Sequence, residues 1–302
     1  MENLERVCWL EVELQHPKGW SMTAEGGGVN NGYLKIDSRT KTKIELKWER
    51  LSVKEGAKPE LQPPVLVNRL IEEQEKKLKK KKIKTEILER GSVEVCGHKA
   101  YLIRWRGEVE ALSFSWICRE EIKIFLANYY LEPGEKLEDV KNWFIPSIIC
   151  HTPDTYWRYR LFGVEFKIPK EYKLNYRKLV IGKPLMVFRN EATIAIYWTY
   201  FAREILSNYG SLFQWSKKEI PGEFEKAIKG LNRDKLKLDE NKSMMFLEEK
   251  VHTGLGREPL AKKVIIWYDS NSNKIFVLGY LGPREGLESL NSVKESIVFK
   301  PD

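Results

Sequence analysis

The sequence has 302 residues and a formal net charge of +9 at pH 7. This length predicts two domains of about 150 residues, and a hydrophobic content of 42% is sufficient for a packed core in each. The apolar runs fall short of the roughly 18 residues that a membrane-spanning helix needs. The start is acidic and polar, unlike a secretory signal. We therefore expect a cytoplasmic protein without a transmembrane segment.

Charged residues make up 31% of the chain, with Lys and Glu predominating. This balance resembles proteins of organisms that live at high temperature, archaea among them, in which Lys and Glu are enriched. A basic protein attracts anionic partners such as nucleic acid, a membrane surface or an acidic protein. A solvated basic surface explains the same composition, and both interpretations stay open at this point.

Two strands with the same pattern organise the chain. Ile44 to Trp48 places an apolar residue at every second position and ends on Trp, and this pattern returns at Ile194 to Trp198. Such alternation predicts a strand with one buried face. Each half also opens with an alternating strand, Trp9 to Leu14 and Val164 to Ile168, that a nearby Pro stops.

Residues 65–82 follow a helical pattern, with an apolar stripe that includes Leu66, Leu70 and Leu78. Lysines surround Leu78, so the helix must present them to solvent around it. Seven like charges exceed what a helix C-terminus needs, and the excess predicts an anion-binding patch. The alternative is a solvated helix end whose charge is partly neutralised by glutamates one turn earlier. The predicted patch consists of Lys76, Lys77, Lys79, Lys80, Lys81, Lys82 and Lys84.

A meander of strands and a short late helix complete each half. We expect the strands that end at Trp105 and Trp267 to be equivalent, as those that end at Trp48 and Trp198 are. The pattern places all four Trp on buried faces, which favours core packing over an exposed platform for stacking bases.

The ordered series of matched landmarks predicts two tandem modules, residues 1–152 and 153–302. Each module reads β-β-β-α-β-β-β-α. The predicted fold class is therefore α+β, with antiparallel sheets and helices packed on them.

The opening of each module carries a family resemblance. A first strand, the segment Pro17-Lys18-Gly19-Trp20, a meander and a late helix resemble the PsbP-like fold. An oxygen-evolving photosystem subunit and a Ran-binding nuclear import factor share that fold. The second module departs from the short motif, with Glu171 where Gly19 stands in the first. The resemblance implies small α-β-α sandwiches that mostly bind other macromolecules and lack conserved catalysis, and it names no partner.

The cysteines and histidines give no local metal signature. The four cysteines contain no CxxC pair, so their spacing predicts no zinc site, and the histidines are few and dispersed. Cys150 and His151 are adjacent, but neighbouring residues of an extended chain point to opposite faces, so we expect no nucleophile pair there.

Cys118 and Cys150 are our candidates for neighbours in space. Cys118 ends a strand, and Cys150 ends the segment that follows the late helix and is expected to return across the same sheet. A disulfide between them would contribute about 3–4 kcal/mol. Disulfides are rare in the cytoplasm, although hyperthermophiles are an exception. Two separately buried thiols are the alternative.

The function predicted from these features is that of a non-catalytic binding or scaffold protein. Its partner is expected to be a protein or another macromolecule, and no cofactor or metal is expected. A nucleic-acid-associated protein that uses the basic helix, residues 76–84, is the second hypothesis. An enzyme with a cleft between the modules is the third, and no motif supports it.

Overall fold

The computed structural model describes residues 4–28, 30–51, 62–239, 244–252 and 258–300. The chain forms two compact units. The first consists mainly of Met1–Asp154 with Arg158–Leu161, and the second of Thr155–Trp157 with Phe162–Pro301.

The first unit contains a seven-stranded antiparallel sheet, and its opening hairpin is part of a five-stranded sheet. The order of the strands in the seven-stranded sheet is β3-β4-β5-β9-β8-β7-β6, and β1 pairs with β2 in the hairpin. The elements are β1 (Leu4–Trp9), β2 (Val12–Pro17), β3 (Ser21–Gly27), β4 (Asn31–Asp37), β5 (Thr42–Arg50), α1 (Pro63–Lys80), β6 (Glu86–Val95), β7 (His98–Arg106), β8 (Glu110–Cys118), β9 (Lys123–Tyr130) and α2 (Leu137–Ser147).

The second unit also contains a seven-stranded antiparallel sheet, with the order β12-β13-β14-β18-β17-β16-β15. The strand β10 (Tyr156–Leu161) spans the boundary between the units. The elements that follow are β11 (Val164–Pro169), β12 (Lys173–Lys178), β13 (Leu185–Arg189), β14 (Thr193–Thr199), α3 (Ala202–Tyr209), α4 (Leu212–Glu219), α5 (Gly222–Ala227), β15 (Lys237–Leu238), β16 (Met244–Val251), β17 (Leu260–Asp269), β18 (Lys274–Gly282), α6 (Leu287–Ser296) and β19 (Val298–Phe299).

The predicted fold class is wrong. Strand accounts for 48% of the structure and helix for 24%, in antiparallel sheets of five to seven strands, so the protein is mostly β rather than α+β. The β-β-β-α-β-β-β-α pattern assigns six strands to the first module, whereas the described part of residues 1–152 contains nine, β1–β9. The pattern undercounts because short hairpins are hidden within segments that read as one strand or as a loop.

The opening hairpin shows why the pattern undercounts. Trp9 pairs with Val12 across a two-residue turn, in which Leu10 and Glu11 have φ of 45° and 69°. Positive φ at both central residues is the geometry of a tight hairpin turn, and Gly or Asn usually occupies those positions. The segment Trp9 to Leu14, predicted as one strand, is therefore two.

Helix α1 buries its apolar side within the first unit. Val67, Ile71 and Leu78 form one cluster with residues of the sheet, among them Ile103 and Trp105. The observed helix begins and ends two residues earlier than the predicted one, residues 65–82. It can begin at Pro63 because the first position of a helix does not need a backbone N–H. None of the helices that the structure describes is long and apolar enough to cross a membrane.

Trp267 is not the counterpart of Trp105, so this predicted equivalence is wrong. Trp267 lies on β17, which pairs with β18, whereas Trp105 lies on β7, which is one strand removed from β9. Trp116 on β8 occupies the place in its sheet that Trp267 occupies in the other, on the strand that pairs with the last strand of the sheet. Trp116 stacks on Phe125 of β9 with ring centroids 4.7 Å apart, and Trp267 stacks on Phe276 of β18 at 5.0 Å. Trp267 is also less buried than predicted, because its side chain is only half-buried.

We predict that Trp198→Ala lowers the free energy of unfolding by about 3–5 kcal/mol, because the ring is fully buried against Phe166. Trp267→Ala should cost clearly less, because Trp267 is half-buried. Trp198→Phe is the matched control: it keeps an aromatic ring and removes a buried indole N–H that has no partner among the described residues. Urea unfolding measures all three, and equal losses for Trp198→Ala and Trp267→Ala would contradict the burial argument.

Candidate functional site

The seven lysines of the predicted patch, residues 76–84, are all exposed. Leu78 is buried among them with 7% of its surface exposed. Helix α1 ends at Lys80, and the backbone N–H of Lys81 donates to the carbonyl of Leu78. The lysines therefore lie on the C-terminal part of the helix and on the residues that follow it. We call these seven residues the lysine tract.

One ion pair neutralises part of the lysine tract. Lys81 Nζ lies 2.8 Å from Glu108 Oε2, and both side chains are more than half exposed. Among the described residues, no ion pair involves the other six lysines of the tract. Glu72 and Glu73 are exposed one turn earlier on α1. The tract is thus a set of solvated cations with little local compensation.

Cys118 and Cys150 lie side by side in the first unit. Both thiols are buried and free, and the Cys118 thiol is 3.8 Å from the carbonyl oxygen of Cys150. The predicted disulfide is not formed in the structure and stays a prediction.

Two histidines that are far apart in the sequence lie beside these thiols. His98 Nε2 is 3.4 Å from His151 Nδ1. The same His151 Nδ1 lies 3.5 Å from Cys118 Sγ and 3.6 Å from Cys150 Sγ. The expectation that Cys150 and His151 would not meet is wrong, because the chain bends at Cys150 instead of continuing as a strand. We call His98, Cys118, Cys150 and His151 the Cys/His cluster.

Sheet register positions the first two members of the cluster. Tyr101 pairs with Ser115 between β7 and β8, and the same register continued to the end of β8 sets His98 opposite Cys118. His98 is the first residue of β7, directly after a tight turn in which Cys96 and Gly97 have φ of 52° and 76°.

A second set of backbone contacts holds the other two members. Ile149 and Glu13 exchange backbone hydrogen bonds of 2.8 and 3.0 Å, which fix the segment after α2 against β2. The backbone N–H of Cys150 donates to Cys96 Sγ at 3.2 Å, and the Cys96 thiol donates to the Ile148 carbonyl at 2.8 Å. Cys96 therefore orients the chain that carries Cys150 and His151.

The thiols influence one another's acidity. Hydrogen bonding with the Cys150 side chain lowers the pKa of Cys96 to about 6, and the same cause lowers the pKa of Cys118 to about 6. Hydrogen bonds to Cys118 and Cys96 raise the pKa of Cys150. The three thiols therefore belong to one hydrogen-bonded group.

No family model matches this sequence, and no curated protein matches it. Among solved structures, the solution structure of cyanobacterial PsbP (CyanoP) from Synechocystis sp. PCC 6803 is 11% identical over 49% of this chain and 93% of its own, with a TM-score of 0.33. The crystal structure of MucB in complex with MucA is 9% identical over 96% of this chain and 83% of its own, with a TM-score of 0.21. Scores this low support no argument about fold or function, and the PsbP-like resemblance stays a prediction.

We expect four reactive thiols per chain when the protein is denatured without reductant, because the structure holds all four cysteines as free thiols. Titration with a chromogenic disulfide reagent counts them. A count of two would instead establish the disulfide, and peptide mapping would show whether it joins Cys118 to Cys150.

Proposed function

We propose that the protein is a non-catalytic binding protein whose lysine tract contacts the phosphate backbone of nucleic acid. One observation carries the proposal: all seven lysines of the tract are exposed on one helix end. Lysines that neutralise phosphates release counterions, and this gain does not depend on the base sequence. We expect contacts to phosphates rather than to base edges, since the tract contains no aromatic residue for stacking.

The burial of α1 favours a water-exposed polyanion over a lipid surface. A helix that lies in a membrane interface inserts an apolar face below the charged headgroups. The apolar face of α1 is already covered, because Val67, Ile71 and Leu78 are buried against the sheet. Ile83 also packs against this cluster, and the exposed side chains among residues 76–84 are all lysines. The tract therefore offers attraction to phosphate without an exposed apolar face for insertion.

We also propose that the two units are copies of one module. Support comes from the strand orders: in each seven-stranded sheet the first three strands are followed by the last strand and then by the remaining three in reverse. The stacked pairs Trp116 with Phe125 and Trp267 with Phe276 support the same correspondence. Superposition of the two sheets in an experimentally determined structure tests it, and sheets that superpose only with a shifted strand order would contradict it.

The decisive test replaces four lysines of the tract by glutamine. Lys76, Lys77, Lys79 and Lys80 lie on the helix and avoid the ion pair of Lys81. We predict that the quadruple Lys→Gln variant binds a labelled duplex at least tenfold more weakly at about 50 mM salt. The slope of log K against log salt should fall by about 0.9 for each phosphate that the variant no longer neutralises. Fluorescence anisotropy over a salt series measures both quantities.

The matched control removes the same charge elsewhere. Lys18, Lys226, Lys237 and Lys250 lie outside the tract, and their change to glutamine should leave the affinity within about twofold of wild type if the tract carries the binding. If both variants lost affinity for the duplex equally, the net charge of the protein would explain the loss, and the proposal would be contradicted. Binding to anionic vesicles but not to the duplex would contradict it too.

A further inference from the structure

The Cys/His cluster brings together four atoms that ligate metals. His98 Nε2, Cys118 Sγ, Cys150 Sγ and His151 Nδ1 all lie within 4.8 Å of one another. We propose that these four side chains bind one zinc ion, as a structural site of the first unit. This inference is independent of the lysine tract and of any partner bound there.

Three of the six distances between the donor atoms are those of a tetrahedron around zinc. Bonds of about 2.0–2.1 Å to nitrogen and about 2.3 Å to sulfur require separations of about 3.3 Å between two nitrogens and about 3.6 Å between nitrogen and sulfur. The two ring nitrogens are 3.4 Å apart, and His151 Nδ1 lies 3.5 and 3.6 Å from the two sulfurs. Three edges of the tetrahedron therefore match to within about 0.1 Å.

The ligand types select zinc and a structural role. A tetrahedral set of two thiolates and two imidazoles suits zinc, and four protein ligands leave no open position for water or substrate. Cys118 and Cys150 are fully buried, and the side chain of His98 is only 10% exposed. The site is thus closed on the protein side and accessible mainly at His151, which is 28% exposed.

The surroundings of the cluster supply the outer contacts that metal ligands require. The indole N–H of Trp116 points at Cys150 Sγ at 3.5 Å, where it can donate to a thiolate. Cys96 accepts the backbone N–H of Cys150 and so fixes the segment that provides two ligands. Its own thiol faces the Ile148 carbonyl, which places Cys96 outside the ligand set.

Glu120 competes for the same position. Its Oε2 lies 3.0 Å from His98 Nε2, 3.6 Å from Cys118 Sγ and 4.0 Å from His151 Nδ1. His98 Nε2 cannot both donate to this carboxylate and ligate zinc, so the carboxylate must move when the metal binds. Glu120 is 52% exposed in a turn after β8, so its side chain can turn into solvent. Glu120→Gln should therefore keep the metal.

Zinc and the predicted disulfide exclude each other in any one molecule. A disulfide between Cys118 and Cys150 would consume both sulfur ligands. Zinc would hold both as thiolates, which a chelator then releases as free thiols. Metal content and thiol count measured on the same sample therefore distinguish the two states.

The experiment measures metal in the full-length protein after expression with added zinc. We expect one zinc per wild-type chain by elemental analysis, and its loss in Cys118→Ala, Cys150→Ala and His98→Ala. Two matched variants should retain the zinc: Cys8→Ala, a buried cysteine of β1, and His252→Ala, an exposed histidine.

A readout on the wild type guards against variants that fail to fold. Cobalt substituted for zinc should give the visible bands of a tetrahedral ion and a thiolate-to-cobalt charge-transfer band, both abolished by one equivalent of zinc. Wild type without stoichiometric zinc and without these bands would overturn the proposal, as would zinc retained in Cys118→Ala and Cys150→Ala. Two free thiols with no metal would overturn it in favour of the disulfide.

Discussion

The pairing of β5 with β9 is the constraint on which the first unit depends. Ile44 pairs with Tyr129, so the third strand of this sheet in sequence becomes the neighbour of its last strand. This pairing joins the hairpins β3–β5 to the meander β6–β9, and Phe125 of β9 then packs between Trp48 and Trp116. β8 pairs with β9 and β7 pairs with β8, so the two strands that carry His98 and Cys118 lie on the β9 side of this pairing. The position of these two members of the Cys/His cluster therefore depends on it.

Local patterns are sufficient where burial alone decides the structure. The apolar stripe of α1 has the period of a helix, so the exposure of the lysines around Leu78 follows from the sequence. The opening hairpin escapes the prediction because its alternation looks continuous. Every residue from Val7 to Leu14 is buried, so no change in the burial pattern marks the turn.

The Cys/His cluster cannot be predicted from local sequence patterns, for a different reason. Its ligands come from the start of β7, the end of β8 and the segment after α2, so no spacing motif such as CxxC links them. Their meeting depends on the register of β7 with β8 and on the bridge between Glu13 and Ile149. The alternation rule also fails at Cys150, because a bend replaces the strand to which the rule applies. Donors that are dispersed in the sequence can still converge when sheet register brings them together.

A zinc ion at the cluster would tie the segment after α2 to the ends of two central strands, and its binding energy would add to the folding energy of the unit. X-ray absorption at the zinc edge of the metal-loaded wild type tests this claim most directly. Zinc held by the Cys/His cluster should show four ligands, with two sulfurs at about 2.3 Å and two nitrogens at about 2.0–2.1 Å. A shell of nitrogen and oxygen alone, without sulfur, would contradict it.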